Sequence, residues 1–401
     1  MDVHIARQPI FDTHNKLFAY ELLFQQTLGL HLGDLSGDRA TTSLLSATFL
    51  TEGVEKIAGN KPCFINFTKN LLVKEIAASF PKNKIIVEIL EDVPPSPDVP
   101  AACRFLSQQG YILALDDFVY SKELLPLIEL VNILKIDYHF LILDQIEQTL
   151  HRLSRFSLKF LAEKIESYDE LEHARMLGFN YFQGYFFARP ESLRITEIAS
   201  NKANLIRLLA EVNSRQTTVA RLEEIIATDV ATTFKLLRYI NSAFFYLLKE
   251  VVSVRQAIIY LGEREIRRFV TLVLISELAA NKPTELIRLS VVRAYFCELL
   301  AKRCPQEVNE SELFLLGLFS LIDAILDAPM AQTMDKLPLS DTIKDALTVG
   351  RGAYLPFLEA VVAYEKGETV NCLAALDKLN VAGKELSTLY LEAVQFASII
   401  T

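Results

Sequence analysis

Seven short apolar runs in the first half of the chain each carry a metal-binding or ionisable polar residue, inside the run or at its end. Along the chain these residues are Glu21, Asn66, Glu88, the pair Asp116 and Asp117, Lys135, Glu163 and Gln183. Segments long enough to form helices separate the runs. In a barrel of alternating strands and helices, the strand ends converge on one face. The layout therefore predicts a TIM-like barrel that gathers these side chains at one end.

The opening residues predict that one strand of this barrel is antiparallel. Up to about Pro190, runs rich in Ile, Val and Phe alternate with helical stretches, which is typical of a parallel α/β domain. The first two runs, Val3–Phe11 and Lys16–Phe24, are joined by only four turn-forming residues. A connection this short indicates a hairpin, so we expect the first strand to run against the others.

The second half of the chain has a helical pattern. From Asn201 onward, apolar residues recur at intervals of three and four, as in Leu205, Leu208 and Val212. We predict helices over 41–53 and 169–177 in the first half, and over 232–241, 254–261, 263–278, 285–302, 310–326, 340–349, 355–364 and 384–399 in the second. The second half is therefore expected to be all-α.

Length and composition limit the class of protein. A chain of 401 residues exceeds one ordinary core, so we predict an α/β barrel over residues 1–192 and an all-α domain over 193–401. A net charge of −9 argues against broad nucleic-acid binding. The longest apolar stretch, Leu313–Ile322, is too short for a membrane span, and no signal-peptide pattern opens the sequence. Five cysteines without a CxxC pair favour reduced thiols in the cytoplasm.

The polar residues of the apolar runs form a chemically coherent set. Glu21, Asn66 and Glu88 offer the oxygen ligands that Mg²⁺ and Mn²⁺ prefer. Lys135 can neutralise a phosphate, and Glu163 can act as a general base. For any single residue, a capped strand end or a simple ion pair is the better explanation. The complete set in barrel order favours a shared site.

These runs resemble the ordered motifs of EAL domains, which are cyclic di-GMP phosphodiesterases built on a TIM barrel with one antiparallel strand. The resemblance covers about residues 1–190. It rests on Glu21-Leu22-Leu23, Phe64-Ile65-Asn66-Phe67-Thr68, Glu88-Ile89-Leu90-Glu91, Asp116-Asp117-Phe118, Lys135-Ile136-Asp137, Ala162-Glu163-Lys164-Ile165-Glu166 and Gln183-Gly184-Tyr185.

The resemblance also implies a role for each residue. The implied ligands of two divalent cations, Mg²⁺ or Mn²⁺, are Glu21, Asn66, Glu88, Asp116 and Asp117. The implied catalytic residues, which position the attacking water, are Lys135, Glu163 and Glu166. Binding of the dinucleotide is implied for Gln25, Asp137 and Gln183, and stabilisation of the loop after the aspartate pair is implied for Glu91.

Two departures from the family pattern argue against hydrolysis. Active members carry an arginine four residues after the first glutamate, where it grips a phosphate, and this chain has Gln25. A glutamine cannot form a charged bidentate fork, a loss of about 1.5–3 kcal/mol of ligand binding. The family's glycine-rich loop after Asp-Asp-Phe is replaced by Val119–Glu123, which contains no glycine. Without that backbone freedom, we do not expect the loop to take the family's conformation.

Residues from about 200 to 280 resemble an HDOD domain, a helical module related to HD-type phosphohydrolases but lacking their chemistry. The resemblance rests on Ala227-Thr228-Asp229, on residues 236–243 (LLRYINSA), on Ser253-Val254-Arg255-Gln256-Ala257 and on Tyr260-Leu261-Gly262. Degenerate EAL barrels joined to this module form a bacterial family marked by the YELLF string found here at Tyr20–Phe24. HD hydrolases need histidines beside aspartates to hold metals, and no histidine follows His173.

A basic cluster in the helical half has two interpretations. Arg264, Arg267 and Arg268 lie at helical spacing, with Arg255 nearby along the chain. They could form an anion or partner contact. The alternative is an ordinary solvated helix face flanked by acidic residues, which is the more common use of such a pattern.

We therefore interpret the chain as a cytoplasmic bacterial signalling regulator. The barrel is expected to be non-hydrolytic, with room for Mg²⁺ or Mn²⁺ and weakened cyclic di-GMP binding. The helical domain is expected to bind a protein partner and no cofactor. Neither membrane nor broad nucleic-acid binding is expected, and a homodimer is left open. The alternative is an active, metal-dependent cyclic di-GMP phosphodiesterase.

Overall fold

The computed structural model describes residues 4–25, 54–140, 143–188, 200–214, 216–242, 245 and 251–400. The chain divides into two compact units. One contains the strands, the helices between them and the short C-terminal segments 363–373 and 383–387. The other contains the helices between residues 200 and 362 and the segments 374–382 and 388–400. The predicted helix at 41–53 and the predicted domain boundary after residue 192 lie outside the described residues, so both stay predictions.

Eight strands form a closed barrel in sequence order, which confirms the predicted fold class. The strands are β1 His4–Asp12, β2 Leu17–Gln25, β3 Cys63–Phe67, β4 Ile85–Ile89, β5 Ile112–Leu115, β6 Ile133–Asp137, β7 Lys159–Glu163 and β8 Tyr181–Gln183. Strand β1 is antiparallel to both of its neighbours, β2 and β8, and all other pairs are parallel. The predicted hairpin is therefore confirmed.

The segments between the strands form short helices. They are α1 Val54–Ala58, α2 Lys69–Val73, α3 Asp98–Gln108, α4 Leu125–Ile128, α5 Leu143–Leu153 and α6 Tyr168–Met176, with 3₁₀ turns at Ile76–Ser79, Lys122–Leu124 and Phe186–Ala188. The helix predicted at 169–177 corresponds to α6. Each helix carries the chain back so that the next strand can lie parallel to the last.

One apolar residue from seven of the strands forms a buried layer inside the barrel: Ile10, Ala19, Phe64, Ile86, Ala114, Ile133 and Leu161. Successive side chains of a strand alternate between faces, so the residue two positions further on also points inward. In β2 to β7 that residue is Glu21, Asn66, Glu88, Asp116, Lys135 or Glu163. The polar residues therefore form the next layer inside the barrel, adjacent to the apolar layer.

The helical unit contains twelve helices among the described residues. They are α7 Ser200–Asn213, α8 Val219–Ala227, α9 Val230–Ile240, α10 Val254–Leu278, α11 Thr284–Arg303, α12 Glu310–Phe319, α13 Ile322–Leu326, α14 Met330–Met334, α15 Asp341–Thr348, α16 Leu355–Glu365, α17 Thr369–Leu379 and α18 Leu386–Ile400, with a 3₁₀ turn at Gly383–Glu385. Parts of α16, α17 and α18 are grouped with the barrel. Among the described residues, no helix combines the length and the apolar character that crossing a bilayer requires.

One helix prediction needs correction, and two helices of the second half were missed. The single helix predicted over 310–326 is two, because α12 ends at Phe319 and α13 begins at Ile322. The Ser320 hydroxyl donates to the Gly317 carbonyl and so satisfies a carbonyl at the end of α12. Helices α14 and α17 were not predicted. By contrast, the predicted interruption at 262 is confirmed, since Gly262 has a φ of 74° inside α10.

Candidate functional site

The Lys135 ammonium is the centre of the polar layer in the barrel. Its Nζ lies 2.9 Å from Asp116 Oδ1, 2.9 Å from Glu163 Oε1 and 3.4 Å from Glu21 Oε2, and it also contacts Glu88 Oε1. Lys135 is only 1% exposed and Glu88 is fully buried. The sequence placed these five residues at one end of the barrel, and they do meet there. Their individual roles remain predictions.

Two glutamines close the layer on the side of β1 and β8. Gln183 Nε2 donates to Glu21 Oε2 at 2.5 Å and to Gln8 Oε1 at 3.0 Å. Gln8 was missed at the sequence level because β1 runs in the opposite direction. It lies two residues before the buried Ile10 rather than after it, and it pairs with Glu21 across the hairpin. Reading the alternation backwards along β1 would have found it.

Burial and crowding shift the pKa values of the cluster. Loss of hydration raises the pKa of Glu163 to about 8, because the attraction of Lys135 does not offset it. The pKa of Glu88 is raised well above its ordinary value for the same reason. Burial alone would lower the pKa of Lys135, but the surrounding carboxylates outweigh it and raise it. Burial also opposes ionisation of Asp116, yet the charge of Lys135 lowers its pKa overall.

The other proposed site residues lie at different depths. Asn66 is half-buried and stands opposite Glu88 in the register of β3 and β4. Asp117 is exposed and has a φ of 38°, in the left-handed region, two residues past the end of β5. Glu166 is exposed beyond the end of β7, and its backbone N–H donates to Glu170 Oε2 at 2.7 Å. The exposed residues Asp117 and Glu166 are called the rim of the site, in contrast to the buried cluster around Lys135.

A cavity of about 440 Å³ opens beside the rim. Its polar lining includes Glu91, Asp117, Asp137 and Lys164, and the rest is mainly apolar. Asp137 accepts backbone N–H groups from the two residues 139 and 140, at 2.9 and 3.2 Å, and its side chain pairs with Lys164. Glu91 is exposed and makes no hydrogen bond or ion pair within the described part of the chain. Its role in stabilising the loop after the aspartate pair stays a prediction.

Gln25, the residue in place of the family arginine, is the last residue of β2. Its side chain lies outside what the structure describes. The loop that departs from the family pattern is described. After Phe118 the chain passes directly into the 3₁₀ turn that begins at Lys122, and the Ser121 hydroxyl caps this turn by accepting the Glu123 N–H at 3.3 Å.

The donor set fits a hard divalent cation. Glu88 Oε2, Glu163 Oε2 and Gln183 Oε1 are buried and accept no hydrogen bond from any described residue. Buried oxygens in this state are expected where an ion or a water supplies the positive partner. Within the described residues, no three acidic, histidine or cysteine side chains form a ready-made metal site. A cation would have to compete with the Lys135 ammonium for the same carboxylates.

Comparison with known proteins gives two domain matches and two long relatives. The EAL domain model matches residues 55–190, beginning after β2, and the HDOD domain model matches 198–336. The cyclic di-GMP phosphodiesterase CdgJ of Vibrio cholerae is 37% identical over 91% of this chain and 85% of its own length. The uncharacterized protein YuxH of Bacillus subtilis is 34% identical over 99% of this chain and 98% of its own length.

Solved structures of EAL domain proteins each match slightly less than half of this chain. An EAL domain protein from Listeria monocytogenes is 21% identical, covers 47% of this chain and 88% of its own chain, and gives a TM-score of 0.37. Assignment therefore rests on the two domain matches and on the long relatives, which extend over both halves. The chain belongs to the bacterial family in which an EAL domain is followed by an HDOD domain.

Proposed function

We propose that this chain is a regulator of cyclic di-GMP signalling whose barrel binds a divalent cation but does not turn over the dinucleotide as an enzyme. The observation that carries the proposal is the buried set of carboxylates around Lys135, combined with a glutamine at position 25, where the family resemblance implies a phosphate-binding arginine. The cluster supplies charge and oxygen donors, while the residue expected to hold the substrate has lost its charge.

Five residues would hold the cation: Glu21, Asn66, Glu88, Asp116 and Asp117. When bound, Mg²⁺ or Mn²⁺ would polarise a phosphoryl oxygen and make a bound water more acidic. Lys135 would then be freed in part from its carboxylates and could balance the charge of a phosphate. Glu163, whose pKa is raised, would hold or accept a proton at its carboxylate.

Two departures from the family pattern support the absence of turnover. A neutral Gln25 side chain offers a phosphate one hydrogen bond in place of a bidentate charged fork. The segment between Phe118 and Lys122 has no glycine and leads directly into a capped 3₁₀ turn. A loop held in this way has little freedom to close on the exposed Asp117.

The second candidate function is an active cyclic di-GMP phosphodiesterase. It is favoured by the similarity to CdgJ over most of both chains, because that relative is named for this activity. The complete carboxylate set around Lys135 is equally compatible with it. The two candidates differ in turnover and not in the architecture of the barrel.

For the helical half we propose binding to a protein partner, in a protein of the cytoplasm. Its described part contains no histidine, so it lacks the imidazole ligands of an HD-type metal site.

The five cysteines are all free, four of them buried, which suits a reducing compartment.

One experiment separates the candidates. The full chain is incubated with cyclic di-GMP and about 10 mM Mn²⁺, a concentration above the roughly 1 mM dissociation constant of a weak divalent-cation site. Formation of the linear dinucleotide is followed by chromatography. We expect no more product than with Glu21→Gln, in which a cluster carboxylate is neutral. The matched control is Glu172→Gln, an exposed acid on α6 paired with Arg175. Product that forms with the unchanged chain and with Glu172→Gln, but not with Glu21→Gln, would establish the enzyme instead.

A further inference from the structure

The helical unit contains a cavity of about 400 Å³ between α10, α11 and α12. Its lining includes three arginines of one α10 face, Arg264, Arg267 and Arg268, with Glu298 from α11 and Phe314 from α12. Volumes of this size are typical of sites for small molecules. The arginine cluster is therefore not an ordinary solvated helix face, because the side chains of Arg267 and Arg268 are only 21% and 9% exposed.

A buried carboxylate organises the charges of this cavity. Glu298, whose side chain is 3% exposed, lies 3.1 Å from Arg264 Nη2, 3.1 Å from Lys302 Nζ, and also in contact with Arg268 Nη2. One carboxylate is thus shared by three cations. Two further carboxylates supply negative charge to these cations: Glu265 pairs with Arg268, and Glu310 pairs with Arg264.

Arg268 has a donor that the protein leaves unused. Its guanidinium carbon lies 3.8 Å from the ring centroid of Phe314, and Nη1 and Nη2 are bonded to glutamates. Its Nε is buried and has no hydrogen-bond acceptor within the described part of the chain. A buried N–H of this kind costs free energy unless a water or a ligand accepts from it.

Arg264, which lines the cavity, has a replaceable partner in Glu310. Its side chain is half exposed, and only Nη2 donates to described residues, at 3.1 Å to Glu298 and 3.2 Å to Glu310. Glu310 is the first residue of α12 and its side chain is 36% exposed. An exposed ion pair of this type contributes little stability, so an incoming anion can exchange with it.

We propose that this cavity is a binding site for a small organic oxyanion, a phosphate or a carboxylate on an apolar body. The anionic group takes the place of the Glu310 carboxylate at Arg264 and forms a bidentate pair with its guanidinium. A carboxylate replaces the Glu310 charge at Arg264 one for one, whereas a phosphate monoester, with a charge of about −1.5 to −2 at pH 7, brings additional negative charge to the three neighbouring cations. The apolar body lies against Phe314 and Leu315, which also line the cavity. This site is independent of the chemistry in the barrel.

Calorimetric titration of the full chain tests the site with phenyl phosphate, benzoate and inorganic phosphate. We expect saturable binding of phenyl phosphate or benzoate, with the stronger of the two identifying the anionic group, and weaker binding of inorganic phosphate. Glu310→Gln removes the internal competitor and should raise the affinity several-fold. Arg264→Gln should lower it at least tenfold, roughly the loss of one charge-assisted hydrogen bond.

Two comparisons distinguish a specific loss of binding from misfolding of the variant. The matched control is Arg351→Gln, because Arg351 is a more exposed arginine of the same unit that pairs with Asp345. It should bind like the unchanged chain. Glu310→Gln predicts a gain, which a damaged fold cannot produce. No saturable binding of any probe, an unchanged affinity in Arg264→Gln, or a loss of affinity in Glu310→Gln would each overturn the proposal.

Discussion

At the scale of single residues, Lys135 determines the character of the barrel site. One buried ammonium faces four carboxyl groups, so it compensates only part of their charge, and the raised pKa values of Glu88 and Glu163 favour the neutral acid for the rest. Removing one partner from such a network leaves uncompensated charge. The same property makes the cluster receptive to a cation, because Mg²⁺ or Mn²⁺ can take over the neutralising role of Lys135.

Replacing Lys135 should therefore destabilise the protein strongly. For Lys135→Met we expect a loss of about 3–5 kcal/mol in the free energy of unfolding, since the carboxylates stay buried without their cation. The control is Lys164→Met, which removes a lysine that is 59% exposed and paired with Asp137. Its effect should be about 0–1 kcal/mol. Urea denaturation followed by circular dichroism measures both, and equal losses would contradict a central role for Lys135.

The sequence allowed the meeting of these side chains to be predicted because apolar runs are a local property. Each run carries its polar residue inside it or at its end, and the strand ends of a barrel converge on one face, which brought Glu88, Lys135 and Glu163 together without a structure. Gln8 was missed because its strand runs backwards. The central position of Lys135 was not predictable either, since the distance of one ammonium from several carboxylates depends on the closure of the whole barrel.

At the scale of elements, the helical unit depends on the close approach of α11 and α12. The Ser290 hydroxyl on α11 donates to the Leu318 carbonyl of α12 at 2.6 Å. Gly317 faces the backbone of α11 so closely that a Cβ there would lie less than 3.0 Å from the Arg293 carbonyl oxygen. A hydrogen atom in place of a side chain is what lets the two helices pack at this distance.

Gly317→Ala tests this packing against helix propensity. In an exposed helix interior the change would stabilise by about 0.5–1 kcal/mol. Here the backbone of α11 must move, and overpacking of this kind costs about 1–3 kcal/mol. We expect net destabilisation, measured as a lower melting temperature. A suitable control is Ser311→Ala, on the same helix and only half-buried. A melting temperature that rises in Gly317→Ala would show that the helices are not in close contact.

Helix prediction from sequence succeeded where a local signal exists and failed where it does not. Gly262 marked the interruption of α10, because only its backbone adopts the left-handed conformation easily. The break between α12 and α13 lies in an apolar stretch, where periodicity cannot distinguish one buried helix from two. The cavity beside Arg268 was equally hidden, because three arginines at helical spacing look the same on a solvated face and in a buried pocket.

At the scale of the whole molecule, the two units differ in what can stabilise them. The barrel has the carboxylate cluster, whereas the helical unit has a charge network in which basic and acidic side chains balance. A divalent cation should therefore act on one unit and not on the other. The chain contains no tryptophan, so a probe that reports on named segments is needed to see the difference.

Hydrogen exchange with mass spectrometry provides that probe. With millimolar Mn²⁺ we expect slower exchange in peptides covering β4 and β7, because a ligand that binds only the folded barrel stabilises it by mass action, by about 2.7 kcal/mol at one hundred times its dissociation constant. Peptides of α11, Thr284–Arg303, should be unaffected. The protection should disappear with a chelator and in Glu88→Gln, but persist in Glu172→Gln. Exchange in β4 and β7 that is the same with and without Mn²⁺ would mean that Lys135 alone, and no metal, neutralises the carboxylates.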